Sequence, residues 1–176
     1  MKWLYLTGFI ACIPAANWLI GNAGTVCIPD GPCLIPVGFG YMAPSGVLVI
    51  GMALVLRDMV QQSLGLRWAL GAIVAGAALS GFVAPAALAL ASGLAFLISE
   101  TADTAVYTPL RKRGFVLALV ASSIVGGIVD SAAFLYIAFG SLDHLAGQVI
   151  GKTWAVLVVV AAFYAVPRIG RLKHAK

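Results

Sequence analysis

Residues Pro85–Leu110 read PAALALASGLAFLISETADTAVYTPL, a run in which Glu100 and Asp103 are the only charged side chains. Its length covers the roughly 20 residues that an α-helix needs to cross a bilayer, and it lacks the period-two alternation of a barrel strand. A charge inside such a span costs about 3 kcal/mol on insertion scales. The whole chain holds six acids. Two of them lie here, three residues apart and on nearly one helix face, which marks Glu100 and Asp103 as functional candidates.

The remaining residues belong to the same class. Of the 176 residues, 62% are hydrophobic and 10% charged, with a mean hydropathy of +1.04, whereas a soluble domain is typically about 25% charged. The expectation is an all-α polytopic membrane protein, one domain over residues 1–176, with six transmembrane helices. The spans fall at Trp3–Ile20, Pro44–Gly65, Leu66–Val83, Pro85–Leu110, Gly114–Phe139 and Gln148–Ile169. The first is read as a span because no small-residue cleavage site with a soluble domain follows it. With six spans, Lys2, Arg57, Arg67, Arg111, Lys112, Arg113, Arg168, Arg171, Lys173 and Lys176 fall on one side and only Lys152 towards the other. The positive-inside rule then places both termini in the cytoplasm. The formal charge of +5 therefore reports topology and not nucleic-acid binding.

On the outer side, Cys27-Ile28-Pro29-Asp30-Gly31-Pro32-Cys33 carries turn chemistry. Its two cysteines could form a disulfide on an oxidising face; two free thiols in an apolar loop are the alternative. Cys12 reads as a small apolar packing residue. Leu34–Tyr41 is too apolar for an ordinary loop. It reads either as a re-entrant segment, tolerated where it lines a cavity, or as an early start of helix 2 kinked at Pro44.

Gly51–Gln61 aligns with Gly93–Asp103 at an offset of 42 residues, matching Asp58 to Glu100 and Gln61 to Asp103. Both helices run inward, so the pattern suggests a parallel repeat of helices 2–3 and 4–5. Transporters are often built from repeats with substrate between them. Asp130, among Gly126, Gly127 and Ser131, lies in the outer half of helix 5 and could instead be a structural hydrogen bonder. Lys152 could snorkel to the outer interface. Asn17 could cap or bridge helices, and Tyr107, Phe134, Trp18 and Trp154 are most simply core or interface aromatics. Arg57 and Asp58 could simply mark the interface. As a set, carboxylates, a Gln, an Asn and aromatic rings suit a flat heterocycle. A carboxylate can accept the two donors of a guanine-like edge while rings stack on its faces.

Ser99-Glu100-x-x-Asp103-x-x-Val106-Tyr107 followed by Arg111, then Ser122-Ser123 and Asp130-Ser131-x-x-Phe134, resembles the VUT family of queuosine precursor transporters. Gln148 and Lys152 resemble a Gln…Lys pair near the start of that family's last helix. The resemblance covers about Pro44–Trp154 and departs in helix 2, where Arg57-Asp58 and Gln61 stand in for a more acidic pattern. It implies six helices in the inner or plasma membrane and import of a 7-deazaguanine base, such as 7-cyano-7-deazaguanine or its aminomethyl derivative.

The substrate-binding candidates are Glu100, Asp103, Asp58, Gln61, Asp130, Asn17, Tyr107, Phe134, Gln148 and Lys152. Glu100 and Asp103 would bind the donor edge of the base. Asp58, Gln61 and Asp130 would line the path, and Lys152 or Gln148 would meet its carbonyl or nitrile side. Partners expected are a purine-like base and the bilayer, with a homo-oligomer left open; no cofactor or metal is expected. Two other readings stand: carriage of another purine-like base, or a substrate-capture subunit of an energy-coupling-factor vitamin importer, with Ala11-x-x-x-Ala15 as a small-residue stripe. An enzyme is not expected, because His144 and His174 lie in a loop and the tail, away from any partner spacing.

Overall fold

The computed structural model describes residues 2–29, 31–110, 112–113 and 115–165. Asp30, Arg111 and the tail residues Arg168, Arg171, Lys173 and Lys176 lie outside the described residues. Among the described residues, six helices run in chain order: α1 Lys2–Asn22, α2 Val47–Leu64, α3 Leu66–Ser80, α4 Ala86–Leu110, α5 Phe115–Phe139 and α6 Leu145–Ala165. Among the described residues, four helices are long and apolar enough to cross a membrane: α1, α2, α4 and, from Ala121, α5. The exterior is apolar to match. Leu90, Val74, Val158 and Leu157 are all more than half exposed, as a lipid-facing surface requires and a water-facing one would not permit.

Local chemistry accounts for the helix ends. Helix α3 stops at Ser80, three residues before the expected Val83, because Gly81 follows and Pro85 restricts the residue ahead of it. Helix α5 ends at Gly140, whose φ of 66° lets its N–H reach the Tyr136 carbonyl at 3.0 Å. Helix α6 begins at Leu145, ahead of the expected Gln148. A turn in which Ser141 Oγ accepts the Asp143 N–H at 3.1 Å leads into it.

The largest departure from expectation lies between α1 and α2. Leu34–Tyr41 is not an early start of helix 2. Val26–Pro44 forms a three-stranded antiparallel sheet in the order β1 Val26–Cys27, β2 Cys33–Gly38, β3 Tyr41–Pro44. Prolines at 29, 32, 36 and 44 remove donors that a helix needs. Pro36 sits beside a register irregularity between Pro36 and Gly38, where a strand tolerates proline. Phe39 and Gly40 make the β2–β3 turn with φ of 55° and 78°, the positive values that two-residue hairpin turns require. Cys27 pairs with Cys33 in register, and the two are joined by a disulfide.

The helices fall into two groups. Helices α4 and α5 pack chiefly along each other, while α1 packs on α2 and α3, and α2 on α6. One core cluster gathers Phe9, Ile13, Val60, Ile73 and Phe96, with Phe9 and Phe96 edge to face at 6.0 Å. A second joins Ile20, Leu88, Ala91, Ala95, Phe134 and Leu135. The sheet is seated on α6. Trp154 Nε1–H donates to the Val37 carbonyl at 3.1 Å, and Val37, Ala43 and Val47 form a third apolar cluster.

Backbone-to-backbone approach at Gly46 brings α1 and α2 together. A Cβ there would stand 2.5 Å from the Ala16 carbonyl oxygen. Gly46→Ala is expected to lower stability by about 1–3 kcal/mol, the usual cost of overpacking, measured as a lower midpoint of thermal unfolding in detergent. A midpoint equal to the native one would show that α1 and α2 separate without cost.

Candidate binding site

Polar contacts between described residues cross the boundary between the two helix groups at three places. Ser92 Oγ on α4 donates to Asn17 Oδ1 on α1 at 2.7 Å. Lys152 Nζ on α6 donates to Asp130 Oδ2 at 2.5 Å and Ser131 Oγ at 2.8 Å, both on α5. Arg57 Nη1 on α2 lies 2.9 Å from Glu100 Oε2 on α4. Each of these seven side chains belongs to a buried residue. Polar groups so placed in an apolar bundle are costly unless paired, and here each pairing joins one helix group to the other.

The first two contacts flank a cavity in the half of the bundle nearer the sheet. Helix α1 contributes Asn17 and Ile20, α2 contributes Val47 and Ile50, α4 Ser92, Ala95 and Phe96, α5 Asp130 and Phe134, and α6 Gln148 and Lys152. Five of the residues singled out in the sequence therefore converge: Asn17, Asp130, Phe134, Gln148 and Lys152. The cavity measures ≈ 20 Å³, enough for about one water molecule. Asn17 Nδ2 is buried without a hydrogen-bond acceptor. The wall thus offers a free amide donor, the Gln148 amide, a compensated carboxylate–ammonium pair and two phenyl rings. That set suits a small planar solute with donors and acceptors on its edge.

The other candidates lie along the bundle from this cavity. Glu100 is eight residues beyond Ser92 on α4, about 12 Å further along the helix axis. Arg57 sits between two acids, with Asp58 Oδ1 2.6 Å from its Nη2 and 3.0 Å from its Nε, so the two acids matched in the repeat meet the same guanidinium. The Arg57–Glu100 contact is an ion pair without the alignment of a hydrogen bond, and Glu100 Oε1 has no donor. Asp103, half-buried, lies against α5 where Gly126 leaves room for it. An open cleft between α3 and α4, lined by Leu66, Leu70, Leu97, Thr101 and Thr104, reaches Glu100. Gln61 and Tyr107 are half-buried and line neither the cavity nor the cleft.

Two expectations are corrected by this geometry. Arg57 is not a loop charge at the helix 2–3 turn; it is 5% exposed inside the bundle and leaves the topological tally. Lys152 does not snorkel outwards, because Asp130 and Ser131 hold its ammonium inside. Three site residues were missed in the sequence. Arg57 carried a readable signal, a charge seven residues from the end of an apolar helix. Ser131 stood in the Asp130-Ser131-x-x-Phe134 motif without being given a role, and Ser92 carried no signal, meeting a partner 75 residues away.

A family model described as "Putative vitamin uptake transporter" matches residues 81–170. The match takes in Ser92, Glu100, Asp103, Asp130, Gln148 and Lys152; Asn17 and Arg57 precede it. No curated protein and no solved structure matches the chain.

Proposed function

The chain belongs to the vitamin uptake transporter family, and we propose that it imports a flat, uncharged, guanine-like base, a 7-deazaguanine precursor of queuosine. The observation that carries this reading is the polar cavity between the two helix groups, walled by Asn17, Asp130, Phe134, Gln148 and Lys152. The likeness of Ser99–Tyr107 to queuosine-precursor importers supports the choice of base. In this proposal the six helices all cross the inner membrane, both termini are cytoplasmic, and the sheet with Cys27 and Cys33 faces outwards.

The base is larger than the cavity, so binding requires the α4–α5 pair to move from the other helices. Asp130 then takes the N1–H and 2-amino edge, a role expected of Glu100 and Asp103, as Lys152 turns to the carbonyl or nitrile side. The amides of Asn17 and Gln148 hold the remaining edge, and Phe134 covers one face. Glu100, Asp103, Asp58 and Gln61 lie on the inner path.

The test is uptake of labelled 7-cyano-7-deazaguanine by cells that lack their own carrier. The native chain is expected to restore uptake, and Asn17→Leu and Gln148→Leu each to reduce it roughly tenfold or more, the cost of leaving a substrate polar group unpaired in a desolvated site. Native-like uptake in both variants would sink the site. Import of a different solute, with none of this base, would sink the substrate. One observation favours a second reading, a substrate-capture subunit of an energy-coupling-factor importer: Ala11 and Ala15 lie exposed one turn apart on α1, open to a helix of another subunit. Co-purification with an ATPase pair would establish it.

A further inference from the structure

The cavity uses none of the groups around Glu100, yet these are the most heavily charged part of the interior. Among the described residues Arg57 is the buried cation there, set against Asp58, Glu100 and the nearby Asp103. The cleft that reaches Glu100 is walled by Leu66 and Leu70 of α3 and by Leu97, Thr101 and Thr104 of α4, and Arg67 at the start of α3 is exposed. Glu100 is 4% exposed and its Oε1 has no donor. A bare carboxylate oxygen in a low-dielectric interior is a costly state, and among the described residues the α3–α4 cleft reaches it.

We propose that Glu100 is a proton-binding site on the transport path, loaded from the outer side when the helix groups part and emptied inwards through the α3–α4 cleft, so that proton and base move together. The coupling half of this rests on the transporter reading above; the proton site does not. A proton from hydronium forms an O–H bond at Oε1 and leaves water behind, turning an anion into a neutral acid.

The geometry ties this step to movement. Arg57 and Glu100 stand on opposite sides of the boundary between helix groups, so separating the groups parts the ion pair. Glu100 then has no cation, and a proton is the counter-charge that can travel with α4. A metal cation fits the surroundings poorly. Among the described residues, no group of three or more His, Cys, Asp or Glu side chains is placed to hold one, and hard cations take six or more oxygens.

Two measurements on the full chain test this. In infrared difference spectra on a step to acid pH, the native protein is expected to gain the carbonyl band of a protonated carboxylic acid. Glu100→Gln should lose that band, while Asp58→Asn and Asp103→Asn keep it and Glu100→Asp restores it. Absence of the band in the native protein, or its survival in Glu100→Gln, overturns the site whether or not the chain transports. In proteoliposomes, acid outside is expected to raise initial uptake of labelled 7-cyano-7-deazaguanine several-fold for the native protein. In Glu100→Gln, uptake should be equal with and without the gradient. Stimulation retained in Glu100→Gln, or given by sodium instead of acid, overturns the coupling. A native chain that shows the band but imports no base refutes the transporter reading and leaves the proton site standing.

Discussion

Lys152→Met is expected to lose about 3–5 kcal/mol of stability, the range for removing one partner of a buried ion pair, and to abolish base uptake. The substitution keeps a flexible, unbranched side chain, one atom shorter, and removes its charge, stranding Asp130 on α5 inside the bundle. The double variant Asp130→Asn/Lys152→Met should recover most of the stability, because exchanging both members of a buried pair for neutral groups is often neutral or better. Its uptake should stay at least tenfold below native, since the proposed site needs Asp130 to accept the donor edge. Thermal unfolding in detergent and uptake of labelled base, measured on the same preparations, separate the two roles. Recovery of both in the double variant would make the pair a structural brace and nothing more.

Arg57→Leu should be comparably damaging, for a related reason. It leaves Glu100 without a cation and costs about 3–5 kcal/mol on the same physical grounds. Which acid suffers is decided by exposure: the Glu100 side chain is 6% exposed and that of Asp58 45%. Solvent screens Asp58, so adding Asp58→Asn to Arg57→Leu should rescue little. Adding Glu100→Gln should restore most of the lost stability. Unfolding midpoints of the two double variants give the comparison directly, and equal rescue by both would mean that Arg57 serves the acids alike.

The helices were legible because each apolar run is bounded by glycine, proline or charge, and the structure moves most of their ends by three residues or fewer. Lys152 and Asp130 were legible as charges in apolar surroundings, although their pairing was not, since it joins positions 22 residues apart on different helices. The sheet was hidden by composition: apolar and proline-rich, residues 26–44 carry no alternation that separates strand from re-entrant loop. Arg57 was misjudged because a positive charge near a predicted turn reads as topology, and only its neighbours show that it faces the bundle. The match of Asp58 with Glu100 in the repeat was visible as similarity; a shared arginine between them was not.

Helix α3 has 15 residues, about 22 Å of rise, against a hydrocarbon core about 30 Å thick. In the six-span reading it is too short for its membrane, and lipid beside it must thin or the helix must be drawn in, at a modest cost for each ångström of mismatch. The thinning falls along the α3–α4 cleft, where Leu66 and Leu70 face Glu100. Bilayer thickness thereby becomes a variable of this protein. Longer acyl chains would deepen the barrier between the cytoplasm and the buried carboxyl, and shorter ones would bring the water to its door.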